Sequence, residues 1–145
     1  MENTFQCVVV APPGKILDCK ASSIVFPAHD GMVGILYDHM PMFCELGLGM
    51  MEVEYVSEEA GKPQNNKAIV VIDNGFALIG QNLATIVSND AFSSTDIKKE
   101  RIERVIERIE KRITAAADPP DQLEHETQKV ALLKKLLESV DKSSA

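Results

Sequence analysis

The change of hydrophobic spacing near Phe92 is the sequence feature that most constrains the fold. Before it, apolar residues follow the two-residue repeat of β-strands, most clearly over 51–55, where glutamates alternate with apolar side chains. After it, isoleucines recur at the three- and four-residue spacing of an amphipathic helix. We therefore predict a β domain over residues 1–92, followed by an α-helical domain over residues 93–145.

The β part contains several short runs of β-branched residues that are bounded by turn-forming residues. Turns are predicted at 73–75, where Asn-Gly stands at hairpin spacing, and at 80–82. The polar segment 57–67 is predicted to be an exposed loop. Many short strands without helical patterning predict an antiparallel β-sandwich or flattened barrel. Besides 51–55, the predicted strands include 8–10, 24–26, 68–72 and 84–87.

The second part is predicted to be an antiparallel α-helical hairpin. A first helix of ~17 residues ends near 115–117, because the Asp-Pro-Pro-Asp sequence at 118–121 cannot continue it. Asp118 can cap a second helix of ~20 residues that begins at Pro119. The apolar stripe of the first helix contains Ile97, Ile102, Val105, Ile106, Ile109 and Ile113. That of the second contains Leu123, Val130, Leu133, Leu137 and Val140, with Leu132 and Leu136 beside it.

Charge and composition exclude several classes of function. Residues 1–94 carry four basic and eleven acidic side chains, a net charge of −7, whereas residues 95–145 are balanced. Nucleic-acid binding requires a basic face, so we expect no nucleic-acid partner for this chain. No run approaches the ~20 apolar residues of a transmembrane helix, and the N-terminus lacks the features of a signal peptide, so no direct membrane insertion is expected.

The three cysteines and the segment 27–41 contain the candidate reactive groups. Cys7, Cys19 and Cys44 are odd in number and widely separated, which predicts reduced, buried thiols. The segment 27–41 is predicted to be a tightly folded loop, since it contains two glycines and ends at a proline.

Enzymatic and binding interpretations of this loop compete. A metal site could use His29, Asp30, Asp38 and His39, and a thiol hydrolase could pair Cys44 with His39. Neither matches a recurrent motif, and phosphate-binding and dinucleotide-binding glycine loops are absent from the sequence. A docking surface is therefore the favoured interpretation of the loop.

The last predicted helix carries a local excess of lysine, which permits two interpretations. One is a solvated helix face, and the other is electrostatic docking onto an acidic partner, including the possibility that the hairpin is an adaptor for an unrelated helix bundle. The basic residues are Lys129, Lys134, Lys135 and Lys142.

The order of the parts and the residues of the loop resemble the epsilon subunit of F-type ATP synthase. The matching pattern is Asp-Gly-x-x-Gly-Ile-Leu-x-x-His-x-Pro over 30–41, preceded by Pro27-Ala28. Asn74-Gly75-Phe76 and the segment 81–86 also resemble that family. The resemblance implies a non-catalytic rotor subunit of the central stalk. Such a subunit couples proton translocation through the c ring to ATP synthesis by way of the gamma subunit.

The resemblance also implies roles for individual residues. The c-ring contact would comprise Asp30, Gly31, Met32 and His39, and the gamma contact Met42 and Phe43. Met32 stands where the family usually has an acidic residue, and Tyr37-Asp38 where it has Pro-Gly. The hairpin would inhibit ATP hydrolysis when extended, and its four basic residues named above would then meet the catalytic alpha and beta subunits.

The same resemblance gives expectations about cofactors and location. Some members bind ATP on the hairpin, but here only Asp96 of that motif is kept, and its arginine and alanine are not. No cofactor, metal ligand or catalytic residue is therefore assigned. The implied location is the cytoplasmic face of the bacterial inner (plasma) membrane, as a peripheral part of the complex.

Overall fold

The computed structural model describes residues 3–12, 14–59, 61–94, 99–115 and 120–143, and the chain divides into two units, 1–93 and 94–145. Among the described residues, the regular elements of the first unit are strands and those of the second are helices. The strands are β1 (Phe5–Ala11), β2 (Gly14–Ala28), β3 (Gly31–Leu36), β4 (Met42–Glu59), β5 (Lys62–Gly80), β6 (Leu83–Ser88) and β7 (Ala91–Ser93). The helices are α1 (Lys99–Ala115) and α2 (Pro120–Ser143).

Strand pairing closes the first unit into a flattened barrel. The strands follow the order β1-β6-β5-β4-β2-β3, and β1 also pairs with β2, so that five strands form a closed circuit. Two strands lie outside the circuit: β3 pairs with β2, and β7 pairs with β5. The predicted sandwich or barrel followed by a helical hairpin is thus confirmed. One pairing differs from the all-antiparallel prediction, because β1 runs parallel to β6.

The core of the barrel follows the predicted two-residue alternation. Every second residue of β1 is buried, and Met51 and Val53 of β4 are fully buried between exposed glutamates. Burying such side chains is the main stabilising contribution, at roughly 1.5–3 kcal/mol for each large one. The largest fully buried residues of this unit are Val9, Ile24, Phe26, Ile35, Leu46, Met51, Val53, Ile72 and Ile86.

Strand β5 changes its inward-facing side at Asn74 and Gly75. Even-numbered residues such as Val70 and Ile72 are buried before this point, and the odd-numbered Ile79 is buried after it. Asn74 and Gly75 have φ values of 52° and 134°, which reorient the chain without ending the strand. The hairpin turn predicted at 73–75 is therefore wrong, because a left-handed Asn-Gly pair can also reorient a continuous strand.

The hydroxyl group of Ser88 stabilises this change of side. Ser88 is only 3% exposed. Its Oγ accepts a hydrogen bond of 3.1 Å from the Asp73 N–H and donates one of 2.6 Å to the Asp90 carbonyl. A Cβ at Gly75 would lie 1.9 Å from the Val87 carbonyl oxygen, so only glycine fits there.

Two predicted loops are also largely strand. Strands β4 and β5 continue to Glu59 and from Lys62, so most of the segment 57–67 is a paired hairpin with Gly61 at its turn. The segment 27–41 is not one loop, because it contains the end of β2 and all of β3. Polar side chains misled the first prediction, since a two-stranded ribbon can be solvated on both faces. Glycines misled the second, because Gly31 and Gly34 are accommodated within a paired strand.

The two helices form the predicted hairpin and pack against each other. Helix α1 has 17 residues and α2 has 24, four more than expected. The buried residues are Ile102, Ile106, Ile109, Val130, Leu133 and Leu136. Leu136 was expected at the side of its stripe and is fully buried, whereas Leu137 is only half-buried. Ile97, Asp118 and Pro119 lie outside the described residues, as does the side chain of Val140.

Ion pairs connect the helices, two of them between residues whose side chains the structure describes. Lys134 Nζ lies 3.0 Å from Glu110 Oε1, and Arg112 Nη1 lies 3.5 Å from Glu126 Oε1. Within α1, Lys111 and Glu107 form an i,i+4 pair at 3.4 Å. Neither helix, over its described residues, has the length and apolar character that crossing a bilayer requires.

Candidate functional site

The segment 27–41, which we call the glycine-rich segment, forms two turns, one at each end of β3. The first is a two-residue turn of His29 and Asp30, closed by the pairing of Ala28 with Gly31. Gly31 has a φ of 134°, a conformation that favours glycine. The N–H of His29 donates a 2.9 Å hydrogen bond to the carbonyl of Glu45, which joins this turn to β4.

The second turn contains His39 and is held by a neighbouring hairpin. Asp38 has a φ of 63°, and its N–H donates a 2.9 Å hydrogen bond to Oδ1 of Asn82 in the β5–β6 turn. The N–H of His39 donates to the Leu36 carbonyl at 3.2 Å, and Nδ1 of its ring lies 2.7 Å from the Met40 carbonyl. This turn is therefore fixed by hydrogen bonds at several points.

Strand β3 separates the four residues assigned to the c-ring contact. Asp30, Gly31 and Met32 lie at its start and His39 lies beyond its end, so that roughly 13 Å of strand, from Met32 to Leu36, stands between the two groups. Met32 and Leu36 share one side of β3 and are 59% and 64% exposed. The structure thus replaces the predicted compact loop with an extended stripe that has a turn at each end.

The residues proposed for enzymatic chemistry are not assembled into a site. Among the described residues, no three His, Cys, Asp or Glu side chains converge as metal ligands would. Cys44 packs against the barrel core, and burial raises the pKa of its thiol, which is opposite to the activation that a nucleophile needs. His39 Nδ1 is engaged by the Met40 carbonyl. Neither the metal site nor the thiol hydrolase is supported by this geometry.

The most extensive unusual surface is an exposed apolar face of the barrel, which we call the outer face. It is formed by outward-facing residues of β4, β5, β6 and β1, in rows set by the pairing register. Phe43, Leu78, Thr85 and Val8 form one row, Glu45, Phe76, Val87 and Val10 a second, and Gly80, Leu83 and Gln6 a third.

Several large side chains of the outer face are open to solvent. Phe43 is 66% exposed, and its ring centroid lies 5.5 Å from that of Phe76. Leu78 and Leu83 are 54% and 43% exposed. Contiguous exposure of large apolar side chains is uncommon on a monomeric surface and marks an interaction site.

The outer face continues to the turn that carries His39. Pro41 joins Leu78 and Leu83 in lining one shallow depression at the edge of the face. Tyr37 and Met40 of the same turn are 43% and 73% exposed. Apolar surface therefore extends from the sheet onto this end of the barrel.

The two residues assigned to the gamma contact point in opposite directions. Met42 packs against the core, whereas Phe43 lies on the outer face. Phe76 and Leu78 were missed by sequence reasoning. Each stands next to an apolar, core-facing residue, so the run 76–79 is apolar on both faces and resembles a fully buried strand.

The four lysines of the hairpin have different environments. Lys135 is exposed and Lys129 is half-buried. Lys134 is exposed and forms an ion pair with Glu110 of the other helix. The side chain of Lys142 lies outside the described residues, as does Asp96 of the partial ATP motif.

The β unit matches a family model over nearly its whole length. Residues 4–94 match the β-sandwich domain of the ATP synthase delta/epsilon chain. The matched segment contains both turns of the glycine-rich segment and the whole outer face.

Curated relatives match the chain beyond this domain. It is 32% identical over 124 residues to the ATP synthase epsilon chain of Latilactobacillus sakei subsp. sakei (strain 23K), with 86% of this chain and 82% of the relative covered. It is 26% identical over 121 residues to the chloroplastic ATP synthase epsilon chain of Mesostigma viride, with 83% and 86% covered.

Solved structures share the fold. A chain of the Euglena gracilis mitochondrial ATP synthase (OSCP/F1/c-ring) aligns with a TM-score of 0.55 at 20% identity, covering 100% of this chain and 84% of that one. A chain of the Tetrahymena thermophila mitochondrial ATP synthase (central stalk/c-ring) gives 0.55 at 13% identity, with 91% and 95% covered. The resemblance inferred from the sequence is confirmed: the chain belongs to the delta/epsilon chain family of ATP synthase.

Proposed function

We propose that the chain is a central-stalk subunit of an F-type ATP synthase, in which it has a coupling role and no catalytic one. The observation that carries this proposal is the exposed outer face within the domain that matches the family. A rotor subunit must transmit torque through surfaces that do not slip. An apolar sheet face on a closed barrel is suited to this, because the barrel is rigid and the face loses water on contact.

The outer face is assigned to the gamma subunit. Phe43 was assigned to this contact by resemblance, and Phe76 and Leu78 extend the assignment because they lie in the same or the neighbouring row. Met42 takes part only indirectly, since it precedes Phe43 on β4 and packs against the core. Large aromatic side chains at the centre of such a face are typical of residues that dominate binding energy.

The c-ring contact is assigned to the exposed side of β3 and its two turns. Asp30, Gly31 and Met32 form one end of this stripe and His39 the other. Met32 and Leu36 make the stripe mostly apolar. Through this contact the subunit would lie at the periphery of the membrane, against the membrane-embedded ring, and transmit proton-driven rotation to gamma.

The helical hairpin is assigned a regulatory role, as a restraint on ATP hydrolysis. Its two interhelical ion pairs and its buried isoleucine and leucine stripes stabilise the folded form. Extension along gamma would break both pairs and release Lys134 for the acidic surfaces of the catalytic subunits. Lys129, Lys135 and Lys142 would add to this contact. Deleting residues 95–145 is expected to preserve assembly and to raise ATP hydrolysis by the complex.

Binding to the gamma subunit tests the main assignment. The tagged full-length chain is co-expressed with the gamma subunit of the same ATP synthase, and the Kd is measured after co-purification. Leu78→Lys is expected to weaken binding by about tenfold or more, since it places a charge at the centre of a buried contact. The matched control is Gln64→Lys, an exposed position on the same strand outside the outer face. Failure of the unmodified chain to bind gamma would overturn the proposal.

The c-ring assignment has a separate test. Met32→Lys and His39→Ala alter the two ends of the β3 stripe, and both are expected to reduce retention of the subunit on the c ring while leaving gamma binding unchanged. Retention is measured on reconstituted complexes, again with Gln64→Lys as the control. Unchanged retention for both variants would remove β3 from the ring contact.

A further inference from the structure

Two cysteines that are distant in sequence stand directly opposite each other in the barrel. Cys7 of β1 and Cys19 of β2 are register partners in an antiparallel pair. Cys7 is fully buried, and Cys19 is half-buried with its side chain against the same core. Directly opposed residues in antiparallel strands have Cα atoms about 4.5–5.5 Å apart, within the range of about 4.4–6.8 Å that disulfides require. The register therefore gives the two residues a Cα separation that a disulfide permits.

The two thiols differ in reactivity. A hydrogen bond between the sulfur groups lowers the pKa of Cys19, whereas the same bond and then burial raise the pKa of Cys7. The carboxylate of Asp18 raises both pKa values by a smaller amount. Cys19 is both the more accessible and the more readily ionised of the two.

We propose that Cys7 and Cys19 form an oxidation site that closes into an intramolecular disulfide with a hydroperoxide as the oxidant. The Cys19 thiolate attacks the terminal oxygen of the hydroperoxide, the O–O bond breaks, and the departing alkoxide or hydroxide takes up a proton, leaving a sulfenic acid on Cys19. The Cys7 sulfur then loses its proton and attacks Cys19 Sγ, the S–O bond breaks, and water departs. Overall, two thiols are oxidised to one disulfide, while one hydroperoxide is reduced to an alcohol (or water) and water.

The third cysteine provides an internal comparison. Cys44 lies on β4, and its direct neighbour on β5 is Ala77, so no thiol opposes it in that register. Burial raises the pKa of Cys44. A hydroperoxide should therefore oxidise Cys19 before Cys44, because the thiolate is the reacting species.

The location of the pair gives the disulfide a structural consequence. The β1–β2 pairing is the one that closes the circuit of strands. On its other side Cys7 faces the small side chain of Ala84 on β6. A disulfide at this position would convert the closing pair into a covalent link within the barrel wall, beneath the outer face that Val8 of the same strand helps to form.

Peptide mapping of the oxidised protein tests this inference. The full-length chain is treated with hydrogen peroxide, free thiols are alkylated, and a non-reducing digest is analysed by mass spectrometry. The expected product is a Cys7–Cys19 linked peptide with Cys44 alkylated, and reductant should remove the link. A Cys44-containing link, or oxidation of all three thiols at similar rates without a link, would overturn the proposal.

Variants separate the roles of the sulfurs. Cys44→Ser is the matched control and should form the link at the unmodified rate, whereas Cys19→Ser should consume peroxide at least about tenfold more slowly. Cys7→Ser should leave Cys19 to proceed to sulfinic acid, because the resolving thiol is missing. Circular dichroism verifies that each variant folds. If Cys7→Ser does not fold, the peptide map of Cys44→Ser alone decides, since it contains only the proposed pair.

Discussion

The β unit and the helical hairpin are stabilised across very different distances along the chain. In the β unit, the first strand pairs with the sixth, so that Gln6 lies opposite Leu83, and the core collects residues from every long strand. In the hairpin, two consecutive helices bury a single seam and are joined by surface ion pairs. Neither helix would be stable in water without its packing. In our proposal the first unit transmits rotation as a rigid body, whereas the second rearranges.

The two units also differ in where their apolar residues lie, exposed on the barrel and enclosed in the hairpin. The outer face of the barrel presents apolar side chains on a closed sheet, so contact with a partner requires no change of fold. The centres of the two apolar stripes of the hairpin are buried, and the hairpin can present these residues only by opening. Binding by the barrel is therefore constitutive in our proposal, whereas binding by the hairpin is conditional.

The largest expected effect tests the rigidity of the β unit. Gly75→Ala would place a Cβ 1.9 Å from the Val87 carbonyl oxygen at a φ of 134°. It is expected to lower the free energy of unfolding by about 4 kcal/mol or more, because both the backbone and its neighbour must move. The control is Gly34→Ala, where an added Cβ meets none of the described atoms within 4 Å. Urea denaturation of both variants provides the measurement, and equal stability would contradict the proposed constraint.

The next effect tests whether the hairpin can unfold by itself. Leu133→Ala removes a fully buried side chain of α2 and is expected to cost about 3 kcal/mol. The loss should appear as faster hydrogen exchange in α1 and α2, with unchanged protection in the barrel. Leu132→Ala, at a half-buried neighbour, is the matched control and should cost about 1 kcal/mol. Parallel loss of protection in both units would show that they unfold together.

A smaller effect is expected from the ion pair at the surface of the hairpin. The side chains of Lys134 and Glu110 are 59% and 49% exposed. Solvent screening limits such a pair to about 0.5 kcal/mol, so Lys134→Ala should shift hairpin stability by that amount and less at high salt. Lys135→Ala is the neighbouring exposed control. A loss several times larger would identify the pair as the main lock of the folded hairpin.

The smallest effect is a pH dependence confined to the β unit. Hydrogen bonds from Lys15 and then Gln6 lower the pKa of the Asp18 carboxyl group. Its contribution to stability is therefore fully present above the ordinary carboxyl pKa and is lost as the pH falls through the lowered value. In Asp18→Asn this part of the acid dependence should disappear. Thermal denaturation between pH 5 and pH 2 measures it, with hairpin ellipticity as the internal reference, and an unchanged profile would contradict the assignment.

The two periodicities predicted strands followed by helices, and they identified some of the buried residues. Strict alternation identified Met51 and Val53, and helical spacing identified Ile102, Ile106 and Ile109. Both patterns are informative because one face of each element is exposed to solvent and the other is buried. The same reasoning failed at Phe76 and Leu78, where both faces are apolar and periodicity carries no signal. The outer face therefore could not be predicted from pattern alone.

Pairing between strands that are distant in sequence was the second feature that could not be predicted. An Asn-Gly pair is compatible with a hairpin turn and with the change of side at Asn74, and the pairing of β5 with β4 on both sides of this point decides between them. The opposition of Cys7 and Cys19 depends on a register that spacing does not encode. The resemblance supplied Phe43 but not its neighbours, since it rested on motifs rather than on which side chains share a surface.

The parallel pairing of β1 with β6 has a consequence for biosynthesis. The first strand leaves the ribosome long before its partner at Leu83–Ser88 is made. During that interval it can pair only with β2, and its other edge remains open. Closure of the barrel must await nearly the whole domain, and contacts of such long sequence separation form slowly. The nascent chain is thus most prone to aggregation just before its sixth strand emerges.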